Sequence, residues 1–536
     1  MVLESVKGGV DTLCFDGRVL PSSPRCDLLF ETRYCSFKAK KACRKTFDEF
    51  SVEIPLPLDD GELIGFFLAF GGRKYPIEVK SGKFCSVTFL RFDWVRIGNV
   101  VLCSAGKRRD CVKVKRALLL DLMLRELFFQ VNTIVGKRGA CIALSCRRGL
   151  FLEKCGFRKR SNSIWLISDR PAMGGDNGEA LFCYLSSHPI EGVDVFFVLN
   201  ADSPDYGRLS KKGHVIPFGS MEHIRLQSQA EFVISSAADE FVINRFGSFR
   251  YLLKSAGQAR FIFLQHGVTK DDMSGWLNRW NKNIRLFFTA SEREKKSIVG
   301  NSSYGYTDRE VKLTGFPRHD DLLRLKGKCP SEKKILIAPT WRSNIAGKTI
   351  QSKGTRSENP EFELTDYYQF YQALINDSAF ISTAKKLGYS LVFLIHPAFA
   401  QEAHKFTSDY VQIRDSYDYR HEFLTSAILL TDYSSVAFDF ALLEKPIVYC
   451  QCDSDKFYEQ HSWERGYFRY EEDGFGEVTR TLEETVDALV SYMQNPEMPI
   501  LYKGRVESFF FAPSEGSRCE LVTDFILDCH VDGKSR

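Results

Sequence analysis

Past residue 160 the chain alternates short apolar runs with loops and helical stretches, and it does so twice. The runs at 163–168 (SIWLIS), 194–199, 214–217, 232–235 and 260–264 are rich in Ile, Val, Leu and Phe and show little alternation of polar and apolar side chains. Uninterrupted apolar runs of this length suit strands covered on both faces, which is the condition of a parallel sheet. Parallel neighbours cannot be joined by a tight turn; each needs a crossover, usually a helix. A helical stretch at 179–185, behind the turn Asp176-Asn177-Gly178, is the first such crossover. At 326–332 the chain turns polar (KGKCPSE), and the pattern restarts with runs at 334–338, 390–395, 427–431 and 446–449. The expectation is an α/β protein: two doubly wound, Rossmann-type domains in tandem, facing a cleft.

The first 106 residues read differently. Segments at 47–58, 62–70, 74–79 and 84–90 are β-branched and aromatic, and Gly71-Gly72 and Ser81-Gly82 separate them as turns. A small β-rich accessory domain, sandwich or barrel, is expected there. Between 107 and 160 stand fifteen Lys and Arg against four acids, a local charge of +11 in a chain whose total is +5. The stretch at 115–132 (KRALLLDLMLRELFFQVN) has helical spacing, so 107–160 is read as a basic helical connector. It is either a buried helix or a surface that docks on anionic lipid. A nucleic-acid role is not expected, because the block's phenylalanines belong to no DNA- or RNA-binding module. The divisions are therefore 1–106, 107–160, 161–330 and 331–536, in keeping with a chain of 536 residues. Sixteen scattered cysteines without a C-x-x-C pair, and no signal peptide, point to a reducing compartment and no metal site; Cys450 and Cys452 are only a weak exception. No apolar run approaches eighteen residues, so a cytoplasmic protein, at most bound to a membrane surface, is expected.

Chemistry concentrates at the ends of the apolar runs. FLQHGVTK (263–270) stops on His266, beside Gly267, whose missing Cβ lets backbone approach a ligand. The second half repeats the device, with His396 directly after 390–395. Either histidine alone is as well explained by packing. Two at matching positions in facing units can share a cleft, one accepting a proton from a hydroxyl and the other donating to an oxygen that gains charge. After the run at 427–431, Asp432, Ser434 and Ser435 open a helix at 436–444; they cap it, and the same helix start suits a phosphate. Arg318, in the tight loop 314–318, and Arg342, in the loop after the run at 334–338, read as surface charges or as clamps on a diphosphate. There is no Walker A sequence, no G-x-G-x-x-G opening a helix, no H-E-x-x-H and no G-x-S-x-G.

In order, DRPAMGGDNGEALF (169–182), QHG (265–267), TGFPRHD (314–320), APTWR (338–342), IHP (395–397), TDYSSVAFDF (431–440), KPIVYC (445–450) and ERGYF (464–468) resemble the CDP-glycerol glycerophosphotransferases of teichoic acid and capsule synthesis. The resemblance covers roughly 160–500. It implies a GT-B-like fold, with an acceptor-side first domain and a CDP-donor-binding second. It also implies transfer of a polyol-phosphate unit from CDP-glycerol or CDP-ribitol to the hydroxyl of a growing polymer, releasing CMP. Carried onto this chain, His266 is the general base and His396 contacts the donor phosphates. Arg318, Thr340 and Arg342 hold the diphosphate, Ser434 and Ser435 grip phosphate or ribose, and Asp432 mainly orients its turn. Gln265 before the histidine and Val268-Thr269 after it depart from the wall-polymer pattern and lean toward the capsule-type branch. Lipid-linked or polymeric acceptors imply a peripheral position on the inner face of the plasma membrane, through 107–160. A GT-B glycosyltransferase using a nucleotide sugar, or a non-catalytic carbohydrate- or lipid-binding relative, are the alternatives.

Overall fold

The computed structural model describes residues 162–243, 259–329, 331–347, 349–350, 355–415, 418–460 and 464–534, and before them chiefly strands between residues 2 and 116, with Met123 and 145–147. In the first unit, β1 (Ser163–Ser168), β2 (Val193–Leu199), β3 (Val215–Pro217), β4 (Phe232–Ser235), β5 (Arg260–Phe263), β6 (Ile284–Thr289) and β7 (Val311–Leu313) form one parallel sheet. Their spatial order is β3-β2-β1-β4-β5-β6-β7. The second unit holds β8 (Lys334–Ile337), β9 (Ser390–Leu394), β10 (Gln412–Arg414), β11 (Ile428–Thr431), β12 (Ile447–Cys450) and β13 (Glu477–Thr479), again parallel, in the order β10-β9-β8-β11-β12-β13. Both sheets reverse direction beside their first strand, at β1/β4 and β8/β11. Crevices at such switch points are where α/β sheets bind ligands.

The expected strands are present, with ends moved by one residue or so. The sequence reading has no strand at β6, β7, β10 or β13; the last three are only three residues long, too short for a pattern to register. Trp165, Ile167, Phe197, Ile234, Ile262 and Phe288 cover one face of the first sheet against Leu181, Phe182 and Leu185 of α1 (Asn177–Ser187). Three further helices bear on the site: α2 (Glu292–Gly300), α3 (Pro317–Leu325) and α4 (Val436–Leu442).

One domain boundary is corrected. The last helix, α5 (Arg518–Lys534), buries Val522, Ile526 and Cys529 in the core of the first unit, and Arg260 donates to the carbonyl of Cys529 at 2.7 Å. The second unit therefore does not run to residue 536. Its own core also continues across the boundary: Val268, Ala290, Phe316 and Leu322 pack in one cluster with Leu336, Tyr433 and Phe438.

The N-terminal strands form two antiparallel sheets on one core. Val2–Gly8, Thr12–Val19, Asp48–Pro55 and Lys40–Cys43 make the first. The second contains Asp27–Glu31, Leu63–Phe70, Val100–Ala105 and Arg108–Arg116. The ring of Phe30 lies 5.3, 5.6 and 5.0 Å from those of Phe15, Phe50 and Phe66. Arg108–Arg116 corrects the expected start of the basic connector: Val112 and Val114 alternate with charged residues and point into the core, a period of two that makes a strand. The expected strand at 84–90 lies outside the described residues, as does the expected helix at 115–132 apart from Lys115, Arg116 and Met123.

Candidate active site

The strand ends of the two sheets face each other across a cavity of about 590 Å³, and His266 and His396 both line it. His266 follows β5 through Gln265, which adopts a left-handed backbone, φ 63°. A non-glycine residue there costs about 1–3 kcal/mol and persists only where its surroundings hold it. They do. The Gln265 amide donates to the Phe288 carbonyl at 2.6 Å and to Glu294 Oε1 at 3.0 Å, and its own side-chain oxygen accepts from the Thr269 hydroxyl. Glu294, fully buried in α2, also accepts from the backbone N–H of Thr269 and Ala290 at 2.6 and 2.7 Å. Burial pushes the Glu294 carboxyl up to about 7. Gln265 and Thr269 are thus two halves of the buttress under the histidine loop.

The His266 ring is exposed on the cavity wall. Partial withdrawal from bulk water inside the cavity, then the positive charges of Arg170 and Arg318, lower its pKa from the ordinary 6.5 against the opposing pull of Asp176; a hydrogen bond to the Ser236 backbone holds the ring. The imidazole is neutral near pH 7 and keeps a lone pair. Gly267 meets the opposite lobe: a Cβ built there would lie 2.4 Å from Ser435 Oγ and 3.0 Å from Ser435 Cβ. Its close approach is therefore to Ser435, where the sequence reading has a ligand.

From the second lobe come Thr340, Trp341, His396, Ser434 and Ser435. His396 Nδ1 accepts the N–H of Ala398 at 3.1 Å, so the proton of the neutral ring sits on Nε2. Its ring stacks on Trp341 with centroids 6.2 Å apart. The Thr340 hydroxyl is buried (4% exposed) and has no hydrogen-bond partner, on a wall of the cavity. A hydroxyl in this position is able to donate to a polar group in the cavity. Ser434 accepts weakly from the N–H of Val436, at 3.4 Å, where α4 begins.

Two expected ligand-binding residues lie behind this wall. Arg342 (6% exposed) and Asp432 (0%) do not line the cavity. The Arg342 guanidinium is spent on Asp432 at 2.8 Å, Asp453 at 2.7 Å and the Thr340 carbonyl at 2.7 Å, and packs 4.8 Å from the centre of the Phe457 ring. Asp432 accepts the N–H groups of Thr340 at 2.8 Å and Tyr433 at 2.6 Å. Together they fix two loops, after β8 and β11, in one frame, and neither side chain is on the cavity wall.

Arg318 does line the cavity, but its guanidinium spans the lobes, pairing Asp176 at 2.7 Å and Asp439 at 2.8 Å. Burial works against its charge, and Asp439 and Asp176 outweigh burial and push its pKa up. His319, not singled out from the sequence, donates from Nε2 to the same Asp439 carboxylate at 2.8 Å. Asn177 ties this latch to the histidine loop, donating to the Gln265 carbonyl at 2.7 Å and accepting the Arg318 N–H at 3.0 Å. Asp169 accepts from the N–H groups of Asp176, Gly178 and Glu179 at 3.1, 2.7 and 3.0 Å; burial, then Asp176, hold its carboxyl up at about 7. The motif DRPAMGGDNGEALF contained all three of Asp169, Asp176 and Asn177, and only the turn Asp176-Asn177-Gly178 before a helix was readable in it. Among the described residues no cluster of His, Cys, Asp and Glu is built to hold a metal ion.

A family model described as CDP-Glycerol:Poly(glycerophosphate) glycerophosphotransferase matches residues 150–528. The Minor teichoic acid biosynthesis protein GgaB of Bacillus subtilis (strain 168) is 39% identical over 66% of this chain and 39% of its own length. The Teichoic acid poly(ribitol-phosphate) polymerase of Bacillus spizizenii is 24% identical over 49% of this chain and 41% of its own. The chain thus spans about two fifths of the length of these curated relatives. Among solved structures, the wall teichoic acid polymerase TagF superposes with a TM-score of 0.51 at 18% identity, over 78% of this chain and 99% of that one. The two-lobed, GT-B-like architecture is shared with it.

Proposed function

The chain belongs to the CDP-glycerol:poly(glycerophosphate) glycerophosphotransferase family, and on that premise we propose that it moves a glycerol-phosphate or ribitol-phosphate unit from a CDP-activated donor to the terminal hydroxyl of a growing polymer, releasing CMP. The observation that carries the reading is one histidine from each lobe on the wall of one cavity. The acceptor oxygen attacks the β-phosphorus as the bond to the CMP oxygen breaks and its electron pair leaves with CMP. The hydroxyl proton goes to His266, which its lowered pKa keeps unprotonated. His396, its proton on Nε2, donates to a donor-phosphate oxygen. The unpartnered Thr340 hydroxyl and the hydroxyls of Ser434 and Ser435 supply further donors. Alignment and fixed donors of this kind account for most of the barrier reduction in phosphoryl transfer. CDP-glycerol is the donor that the family description supports.

The test is a donor panel. Incubated with CDP-glycerol or CDP-ribitol and an oligo(polyol phosphate), the protein is expected to release CMP; turnover confined to nucleotide sugars overturns the reading. We also propose that the +11 segment 107–160 meets an anionic membrane surface at the cytoplasmic face, where a lipid-linked acceptor is carried. No helix among the described residues is long and apolar enough to cross a membrane. Arg147 is fully buried, so part of the block's charge is not available to such a surface. Co-sedimentation with anionic but not neutral vesicles is expected, and binding to nucleic acid instead excludes it.

A further inference from the structure

The cations on the cavity wall are not equivalent. Arg208 is held by Glu179 at 2.7 Å and Asp205 at 2.7 Å, and Lys270 by Asp271. Arg318 is held by Asp176 and Asp439, and Arg420 lies 3.3 Å from Asp321. Arg170 also lines the wall, two residues past the end of β1, and is exposed. Among the described residues its guanidinium has no carboxylate partner. It is close enough to His266 for its charge to depress the imidazole pKa. The apolar side chains Met173 (42% exposed), Met273 and Trp276 share the first lobe's part of this wall.

An unpaired arginine beside a general base has a particular use in this reaction. The nucleophile is the terminal hydroxyl of a polymer whose last phosphodiester lies only a few bonds from the attacking oxygen. The donor's diphosphate faces the second lobe, where Thr340, His396, Ser434 and Ser435 stand. We propose that Arg170 binds the terminal phosphodiester of the acceptor chain and so sets its hydroxyl against His266, with the polyol carbons lying along Met173 and Trp276. The proposal rests on the transferase reading and deepens it: the acceptor subsite is anion-selective, and the anion belongs to the acceptor. Arg170 chooses and positions the nucleophile and transfers no proton.

The experiment compares wild type, Arg170→Ala and Arg170→Lys with two acceptors, an oligo(glycerol phosphate) of defined length and a phosphate-free polyol of similar length. CMP release is read against donor and acceptor concentration and against pH. Arg170→Ala is expected to raise the KM for the charged acceptor roughly tenfold, the scale of one charge-assisted contact. The donor KM stays unchanged, the charged acceptor loses its advantage over the neutral polyol, and Arg170→Lys recovers part of the loss. The acid limb of the pH profile moves upward in Arg170→Ala, because a charge that depresses the His266 pKa is gone; a residue that only shaped the loop would not move it. An unchanged acceptor KM, or a rise in the donor KM instead, overturns the assignment while leaving the transferase reading intact. Direct binding of the same oligomer, without donor, separates the two ideas. Salt-sensitive binding that Arg170→Ala weakens upholds the subsite even if neither CDP-polyol yields CMP, and binding indifferent to Arg170 rejects it.

Discussion

The two lobes share a strand order and each ends a strand on a histidine, yet they hold those rings by opposite means. In the second lobe the support is a compact ionic frame: Arg342 is locked between Asp432 and Asp453, and His396 caps its own turn through Nδ1. In the first lobe the ring rides on a left-handed residue, and a buried carboxyl, Glu294, gathers the loop from below. The difference follows the chemistry proposed for each. A ring that donates to a phosphate needs a fixed tautomer, which one backbone N–H provides. A ring that takes a proton needs a lone pair at neutral pH, which the neighbouring charges of Arg170 and Arg318 favour.

The contrast is broken most severely at Arg342. Arg342→Ala leaves Asp432 and Asp453 facing each other without a cation, and a loss of about 3–5 kcal/mol in chemical denaturation is expected. A loss well under that would mean the second lobe has another support. His266→Ala should reduce turnover about a hundred- to ten-thousandfold without lowering the melting temperature. His396→Ala is expected to raise the donor KM as well as slow turnover, and the opposite pattern would exchange the two histidines' parts.

Glu294→Gln sharpens the contrast at the first lobe. An amide cannot accept at both ends, so either Ala290 or Thr269 loses its acceptor, at about 1–3 kcal/mol. The variant has a pH signature. The folded-state pKa, about 7, lies above the ordinary 4.5, so the folded protein holds the proton more tightly. The stability this contributes is complete below 4.5 and is lost as pH rises through about 7. Denaturation midpoints across that window should fall with pH in wild type and less steeply in Glu294→Gln; an unaltered slope would assign the effect to Asp169, whose carboxyl is raised to a similar value. The smallest effect is expected at Gly267→Ala. Ser435 must swing its hydroxyl away, which should cost on the order of 1 kcal/mol and appear as a modest rise in donor KM.

Local pattern carried the architecture. Apolar runs of strand length separated by helical stretches gave both sheets, and strand ends gave both histidines, because burial on two faces and the place of a loop are written in neighbouring residues. The pattern stopped at long-range pairing. Arg318 and Arg342 look alike in sequence, each a cation after a tight turn, but their fates depend on Asp439, Asp432 and Asp453, roughly ninety to a hundred and twenty residues away. The helix Arg518–Lys534 shows an apolar face, while nothing in its periodicity says which lobe that face will cover. Gln265 and Thr269 register only as departures from a motif until Glu294 stands between them. The order of residues thus determined two α/β units and the loops that carry the two histidines. Tertiary structure alone decided which charges face a ligand and which are consumed by each other, since a buried ion must find its counter-ion wherever folding brings one near.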